Sequence, residues 1–364
     1  MFEKYEMVMK RIEAWWYREI IDRACIRFIM PRPNYKAKIG QRMGNSIWSS
    51  SDKEPELEER LDLLIEMMRS KLFFGEILPT IPHAYNNRGS YITMIMAAYL
   101  GGKPHFMPNT VWYEPIIEDW HKFDIRFNPE NVWWKKSLKL FETTARKSRK
   151  IGYFPGSPDY GDALTVFSLL RGAERLIFDI MDNREVVVAA RDKFLKALFK
   201  YYQIIWKMYH QNFPGGLLGS WWAPGKMWIC QCDFSAALSP AIFTDLVVPE
   251  IEKMGEHMEY IFWHLDGPDE IKYLDILFDL PEIKGIEWVP GAGQPTAVHW
   301  IPMLKRIQAR KKNLFIYADN EEEVRILLTE LSSRGLFISG GFTGKTMDEA
   351  KGLLRMVEKL SSSQ

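Results

Sequence analysis

Residues 260–268 read YIFWHLDGP, which sets a histidine and an aspartate two apart at the end of an apolar run. Residues two apart in a strand share a face, so His264 and Asp266 point the same way, and Gly267-Pro268 then turns the chain out. Such a pair can hold a metal, work as acid and base, or bind a polar substrate; it can also merely shape the turn. Residues 227–234, MWICQCDF, place Cys230 and Cys232 on one face and Gln231 and Asp233 on the other. A Cys-x-Cys pair can ligate zinc with further ligands, while buried cysteines in strands also serve as packing. In 286–294, IEWVPGAGQ, Glu287 follows a buried run, and Gly291 and Gly293 let the backbone come close to a ligand. In 74–79, FGEILP, Glu76 falls near a strand end, as an acid or as a salt-bridge partner. The other histidines (83, 105, 121, 210, 257 and 299) have no ligand spacing and are expected to be structural.

The bulk composition narrows the partners. With 48 Lys and Arg against 47 Asp and Glu, the net charge of +1 gives no footprint for nucleic acid or an anionic membrane. Three cysteines form no disulfide framework, so a reducing, cytoplasmic setting is expected. Residues 1–16 spread their charges rather than placing them ahead of an apolar run, unlike a targeting segment. The uncharged stretch 89–102 is shorter than the roughly 18 residues of a membrane span. The 14 tryptophans include three Trp-Trp pairs, at 15–16, 133–134 and 221–222, which suit either core packing or an aromatic-lined pocket.

The elements that must position these residues follow from periodicity. Residues 1–22 have helical spacing, and Ser51-Asp52 caps a second helix reaching about Leu72, with glutamates in its first turns and Arg69 and Lys71 at its end. Short apolar runs then alternate with helix-length stretches, at 73–78, 151–154, 227–232, 260–265, 283–289, 314–317 and 336–338. That alternation predicts parallel strands with helical crossovers. Ser239-Pro240 opens one crossover helix, and Asp319-Asn320 opens another that Gly335 stops. About eight such units without a low-complexity linker predict one domain over 1–364. The expected fold is a (β/α)8 TIM barrel whose residues 1–72 form an N-terminal helical extension and first strand region. An open doubly wound sheet would carry a glycine-rich phosphate loop, and Gly291-Ala292-Gly293 lacks its third glycine.

At the same places the sequence resembles the uroporphyrinogen decarboxylase-like superfamily. The segments are 230–240 (CQCDFSAALSP), 264–268 (HLDGP), 286–295 (IEWVPGAGQP) and 339–341 (SGG), and the likeness runs from about Ala24 onward. The resemblance implies a distorted barrel with a wide mouth, and either the decarboxylase of haem biosynthesis or the corrinoid-linked methyltransferases. Decarboxylases carry a catalytic aspartate where this chain has Glu76. Their arginine-rich motif is absent, since 27–32 reads RFIMPR, so the many carboxylates of uroporphyrinogen would go unmatched. Zinc methyltransferases carry His-x-Cys-Gly and a late cysteine; here stand His264-Leu265-Asp266-Gly267 and Phe342.

The reading implied is therefore a methyltransferase of the corrinoid-linked type acting on a small molecule in the barrel mouth. His264, Asp266, Glu287 and Glu76 take catalytic roles, and Gln231, Trp221, Trp263, Trp288 and Gln294 bind substrate. Zinc is expected on His264 and Asp266 with Cys230 and Cys232, the corrinoid comes on a partner protein, and the chain pairs as a homodimer. The alternatives are a decarboxylase or lyase using Asp266, Glu287 or Glu76 as proton donor, and a non-catalytic tetrapyrrole or corrinoid binder.

Overall fold

A computed structural model describes residues 3–35, 57–81, 93–106, 111–219, 221–340 and 346–361. Seven strands form the main sheet: β1 (Cys25–Pro31), β2 (Lys71–Gly75), β3 (Met227–Cys230), β4 (Tyr260–Asp266), β5 (Ile283–Val289), β6 (Asn313–Ala318) and β7 (Leu336–Gly340). Their order is β2-β1-β7-β6-β5-β4-β3. Every neighbour pair is parallel except β1 with β2. From β3 to β7 the chain advances one place at a time. The crossovers include the helices Pro240–Leu246, Leu274–Asp279, Ile301–Ala309 and Glu321–Glu330, as parallel pairing requires. β5 and β6 are buried along most of their length, because side chains cover both faces. The fold is therefore mixed α/β around a parallel sheet, as the alternating runs predict. Thr80–Ile81 and Phe154–Pro155 form a separate parallel pair.

Two expected runs shift, and one strand is not among them. The strand Cys25–Pro31 has no counterpart among them, yet it pairs with β7 from Cys25 opposite Phe337 onward. The 73–78 run becomes β2, which lies antiparallel to β1 and ends at Gly75 rather than running on. Gly75 has φ +71, and a Cβ there would sit 1.8 Å from the Ile26 carbonyl oxygen, so only glycine makes this turn. The 151–154 run is split, because Ile151 ends the helix Val132–Ile151 and Gly152 caps it in the left-handed conformation. The helix starts hold: Ser239 accepts from the Ile242 N–H, and Asn320 accepts from the Glu323 N–H; the second of these helices ends at Glu330 and is capped by Leu331, ahead of the expected stop at Gly335. The second helix is described as Leu57–Arg69; its expected cap, Ser51-Asp52, lies outside the described residues.

The helix Glu6–Trp16 closes the N-terminal ends of the strands. The Trp15 indole N–H donates to the Gly335 carbonyl (3.0 Å) at the start of β7, and that of Trp16 donates to the Trp222 carbonyl (3.2 Å). Trp15 also packs on Trp221 and Phe337, which joins the helix to an aromatic core between the strands. All three cysteines are free and buried. Among the described residues no helix is long and apolar enough to cross a membrane.

Candidate functional site

Strand alternation turns one side chain from each of five adjacent strands toward a common space. His264 of β4 stands opposite Glu287 of β5, and its Nδ1 lies 2.6 Å from Glu287 Oε2. The other oxygen of Glu287 accepts from the hydroxyl of Tyr317 on β6 at 2.6 Å. Arg27 of β1 donates through Nε to the hydroxyl of Ser339 on β7 at 3.2 Å. Its guanidinium lies over Trp221 (4.6 Å) and Phe315 (4.8 Å), so aromatic faces compensate part of the cation's lost hydration. Beneath it Trp221 meets Phe315 at 3.8 Å and Phe262 at 4.7 Å, making an apolar floor.

The charges in this space depend on one another. Burial by itself would strip the proton from His264, but the hydrogen bond and charge of Glu287, with Asp233 and Asp266, outweigh it and raise the pKa to about 9. Burial would likewise raise Glu287, yet His264, Tyr317 and Arg27 hold it below its ordinary value. The pair is therefore imidazolium and carboxylate at neutral pH. Two more carboxyls face the same ion. Asp159, in the loop after Phe154–Pro155, is pushed up to about 6 by burial and by Asp233. Glu270, which accepts from the Asp266 N–H and the Ser235 hydroxyl, is pushed up to about 7 by burial. His264 Nε2 makes no hydrogen bond among the described residues and His264 is partly exposed, so this nitrogen is the one a ligand can reach.

Not all of the expected residues converge here. His264, Glu287 and Trp221 do, and Asp266 stands at the exposed rim beside His264. Gln231 reaches toward Asp159, with Nε2 3.5 Å from Oδ1. Trp263 and Trp288 lie on the opposite face, fully buried against Phe243 (5.5 Å) and Trp300 (5.0 Å) of the covering helices. The cause is the period of two: each tryptophan adjoins His264 or Glu287 in sequence and so must point away from it. Gln294 is exposed in the loop after β5. Glu76 belongs elsewhere. The turn at Gly75 lays it against the start of β1, where it is buried, binds Arg23 through both oxygens at 2.7 Å and accepts from the Ile26 N–H. It braces the fold.

The expected zinc ligands also separate. Cys230 shares the face of Trp263, opposite His264, and Cys232 lies beside Asp162. Among the described residues no group of three or more His, Cys, Asp or Glu side chains is placed to hold a metal ion. With Nδ1 of His264 held by Glu287 and both thiols turned elsewhere, these residues do not fit the expected zinc. Phe342 lies outside the described residues.

Four site residues are missing from the sequence reading: Arg27, Tyr317, Asp159 and Glu270. Tyr317 was visible as the polar end of the 314–317 run, by the same rule that picked out His264. Arg27 was visible only once CIRFIMP is read as a strand, and Asp159 had no local signal at all. No family model matches the sequence, and no curated protein matches it significantly.

Proposed function

We propose that this space is the active site of an enzyme that transfers a methyl group from a small molecule, with His264 as the proton donor. The observation that carries the reading is the His264–Glu287 pair: an imidazolium kept charged at neutral pH, with Nε2 open to a ligand. A methyl group bound to nitrogen or oxygen leaves without its electron pair, and the heteroatom that keeps the pair takes the Nε2 proton. Solvent then reprotonates His264. A corrinoid on a partner protein would supply the nucleophile that accepts the methyl group. The rim residues Asp266 and Tyr317 are exposed, so a large group can approach from that side. The resemblance at 264–268 and 286–295 supports the same reading.

The supporting frame is a closed barrel. Thr80–Ile81 and Phe154–Pro155, placed in chain order between β1 and β3, bring the parallel strands to eight. Barrel enzymes keep their sites at the C-terminal strand ends, toward which His264, Glu287, Tyr317 and Ser339 all lie. A second reading, decarboxylation, is favoured by one observation, the Arg27 guanidinium beside the pair, which suits a substrate carboxylate. There the same proton would go to the carbon that loses carbon dioxide.

The test mixes the protein with free cob(I)alamin and a panel of methylated amines and aryl methyl ethers, following corrinoid absorbance and carbon dioxide release. Methyl transfer lost about 10²–10⁴-fold in His264→Gln supports the proposal. Carbon dioxide release without any corrinoid supports the second reading instead. His264→Gln turning over as fast as wild type overturns both.

A further inference from the structure

A second cavity, of about 150 Å³, lies between the 157–162 loop and β3. It shares Asp159 and Gln231 with the site above, but its other walls include Asp162, Trp228, Glu250 and Trp263. Three observations set its chemistry. First, two carboxyl groups converge there. Asp162 caps the helix Ala163–Arg171 through Oδ1, and its Oδ2 is buried beside the Cys232 thiol with no hydrogen bond from a nitrogen or oxygen among the described residues. Glu250 reaches from the helix Val248–Gly255 to within 3.3 Å of the Ala163 N–H at the same helix start. Second, the Trp263 indole N–H is fully buried and has no hydrogen-bond partner among the described residues, although Trp263 lines the cavity. A buried donor of this kind is destabilising until something accepts from it. Third, the rest of the wall is mainly apolar, with Tyr160, Leu218, Val247 and Ile251 beside Ser157 and the Cys230 thiol, and the volume is that of a cavity that takes a ligand of about benzene's size.

We propose that this cavity binds a small amine that also carries an oxygen acceptor, an amino alcohol in chemical class. The ammonium group sits on Asp162 and Glu250, the oxygen accepts from the Trp263 N–H, and the carbon chain lies against Trp228. The inference stands apart from the reaction proposed at His264, because it concerns other polar atoms. The surrounding charges agree with it. Burial, with the charge of Asp233 on Asp162 and that of Asp162 on Glu250, pushes both carboxyls well above the usual carboxylate range, so a cation is what would let both ionise. Both are also faced by the thiols of Cys230 on β3 and Cys232 after it, Asp162 by Asp233, and Glu250 by Arg191 of the helix Arg184–His210. Only Arg191 among these is cationic, and its guanidinium is engaged with the Leu246 carbonyl and Asp192.

The experiment is calorimetric titration of the whole protein with 2-aminoethanol, with ethylamine and ethylene glycol as probes lacking the oxygen or the charge. The expected result is saturable binding of 2-aminoethanol, weaker by about fivefold or more for each control. Affinity should rise from pH 6 to pH 8.5 as the carboxyls ionise. Trp263→Phe, which keeps the ring and removes the N–H, should weaken 2-aminoethanol by about fivefold and leave ethylamine unchanged. Ile251→Phe fills the cavity without touching a polar group and should abolish binding, which keeps the test decisive should Trp263→Phe not fold. Absence of saturable heat up to about 10 mM, a range that covers millimolar affinity, would overturn the proposal. So would equal binding of all three probes, or binding untouched by Ile251→Phe.

Discussion

His264 is charged because Glu287 is beside it, and this dependence can be measured. In Glu287→Gln the largest raising influence is lost while burial opposes what Asp233 and Asp266 still contribute, so the histidine pKa should fall from about 9 toward its ordinary 6.5. Activity that needs the imidazolium should then lose its alkaline limb near pH 9 and acquire one near or below neutrality, read as the pH profile of kcat/KM. The sign for stability follows from the same shift. A raised histidine pKa contributes stability fully below about 6.5, and that contribution is lost as pH rises through about 9, so urea unfolding midpoints should decline across that window. Glu76 behaves differently. Glu76→Gln leaves Arg23 buried without its counter-charge and should cost about 3–5 kcal/mol in urea unfolding, with kcat unchanged in the folded fraction. At this scale the sequence was legible where period two was applied across a strand, as for His264 with Asp266. It misled where neighbours were grouped by proximity, which put Trp263 with His264 and Trp288 with Glu287. Arg27 joins Glu287 and Tyr317 only through the pairing of distant strands, which no local pattern contains.

Most of the strands could be read from their buried apolar runs, and the caps at Ser239 and Asn320 from their residue types. What could not be read was direction. An apolar run does not say whether it lies parallel or antiparallel, so the 73–78 run reads as a barrel strand although its first residues double back along β1. The residue that decides this is Gly75, whose left-handed backbone and contact with the Ile26 carbonyl leave no space for a side chain. Gly75→Ala should therefore destabilise by several kcal/mol, more than the roughly 1 kcal/mol of an ordinary exposed glycine position, measured by urea unfolding. The N-terminal helix likewise holds its place through two indoles. Trp15→Ala removes a buried ring and its bond to the Gly335 carbonyl, and should cost about 3–5 kcal/mol. Because Trp15 packs on Trp221, and Trp221 lies under Arg27, that variant should also raise KM for any substrate held by Arg27.

Across the whole molecule, the N-terminal end of the parallel strands is packed with indoles and phenyl rings around the Arg23–Glu76 ion pair, while the other end carries the His264–Glu287 pair and the carboxyl groups around it. The arrangement separates stability from chemistry: the aromatic floor of Trp221, Phe262, Phe315 and Phe337 excludes water, and the polar groups above it act in the lower dielectric that results. Composition foretold none of this asymmetry, since near-neutral net charge hides a site in which His264 and Arg27 face several carboxyl groups. The account rests on His264 being an imidazolium at neutral pH. The most direct test is a nitrogen-15 NMR titration of histidine-labelled protein, assigning His264 by comparison with His264→Gln and repeating it in Glu287→Gln. A His264 pKa near 9 in the wild type, falling by about two units or more in Glu287→Gln, is the predicted result. A value near 6.5 in both proteins would contradict the charged pair and, with it, the proton donor on which the proposed reaction depends.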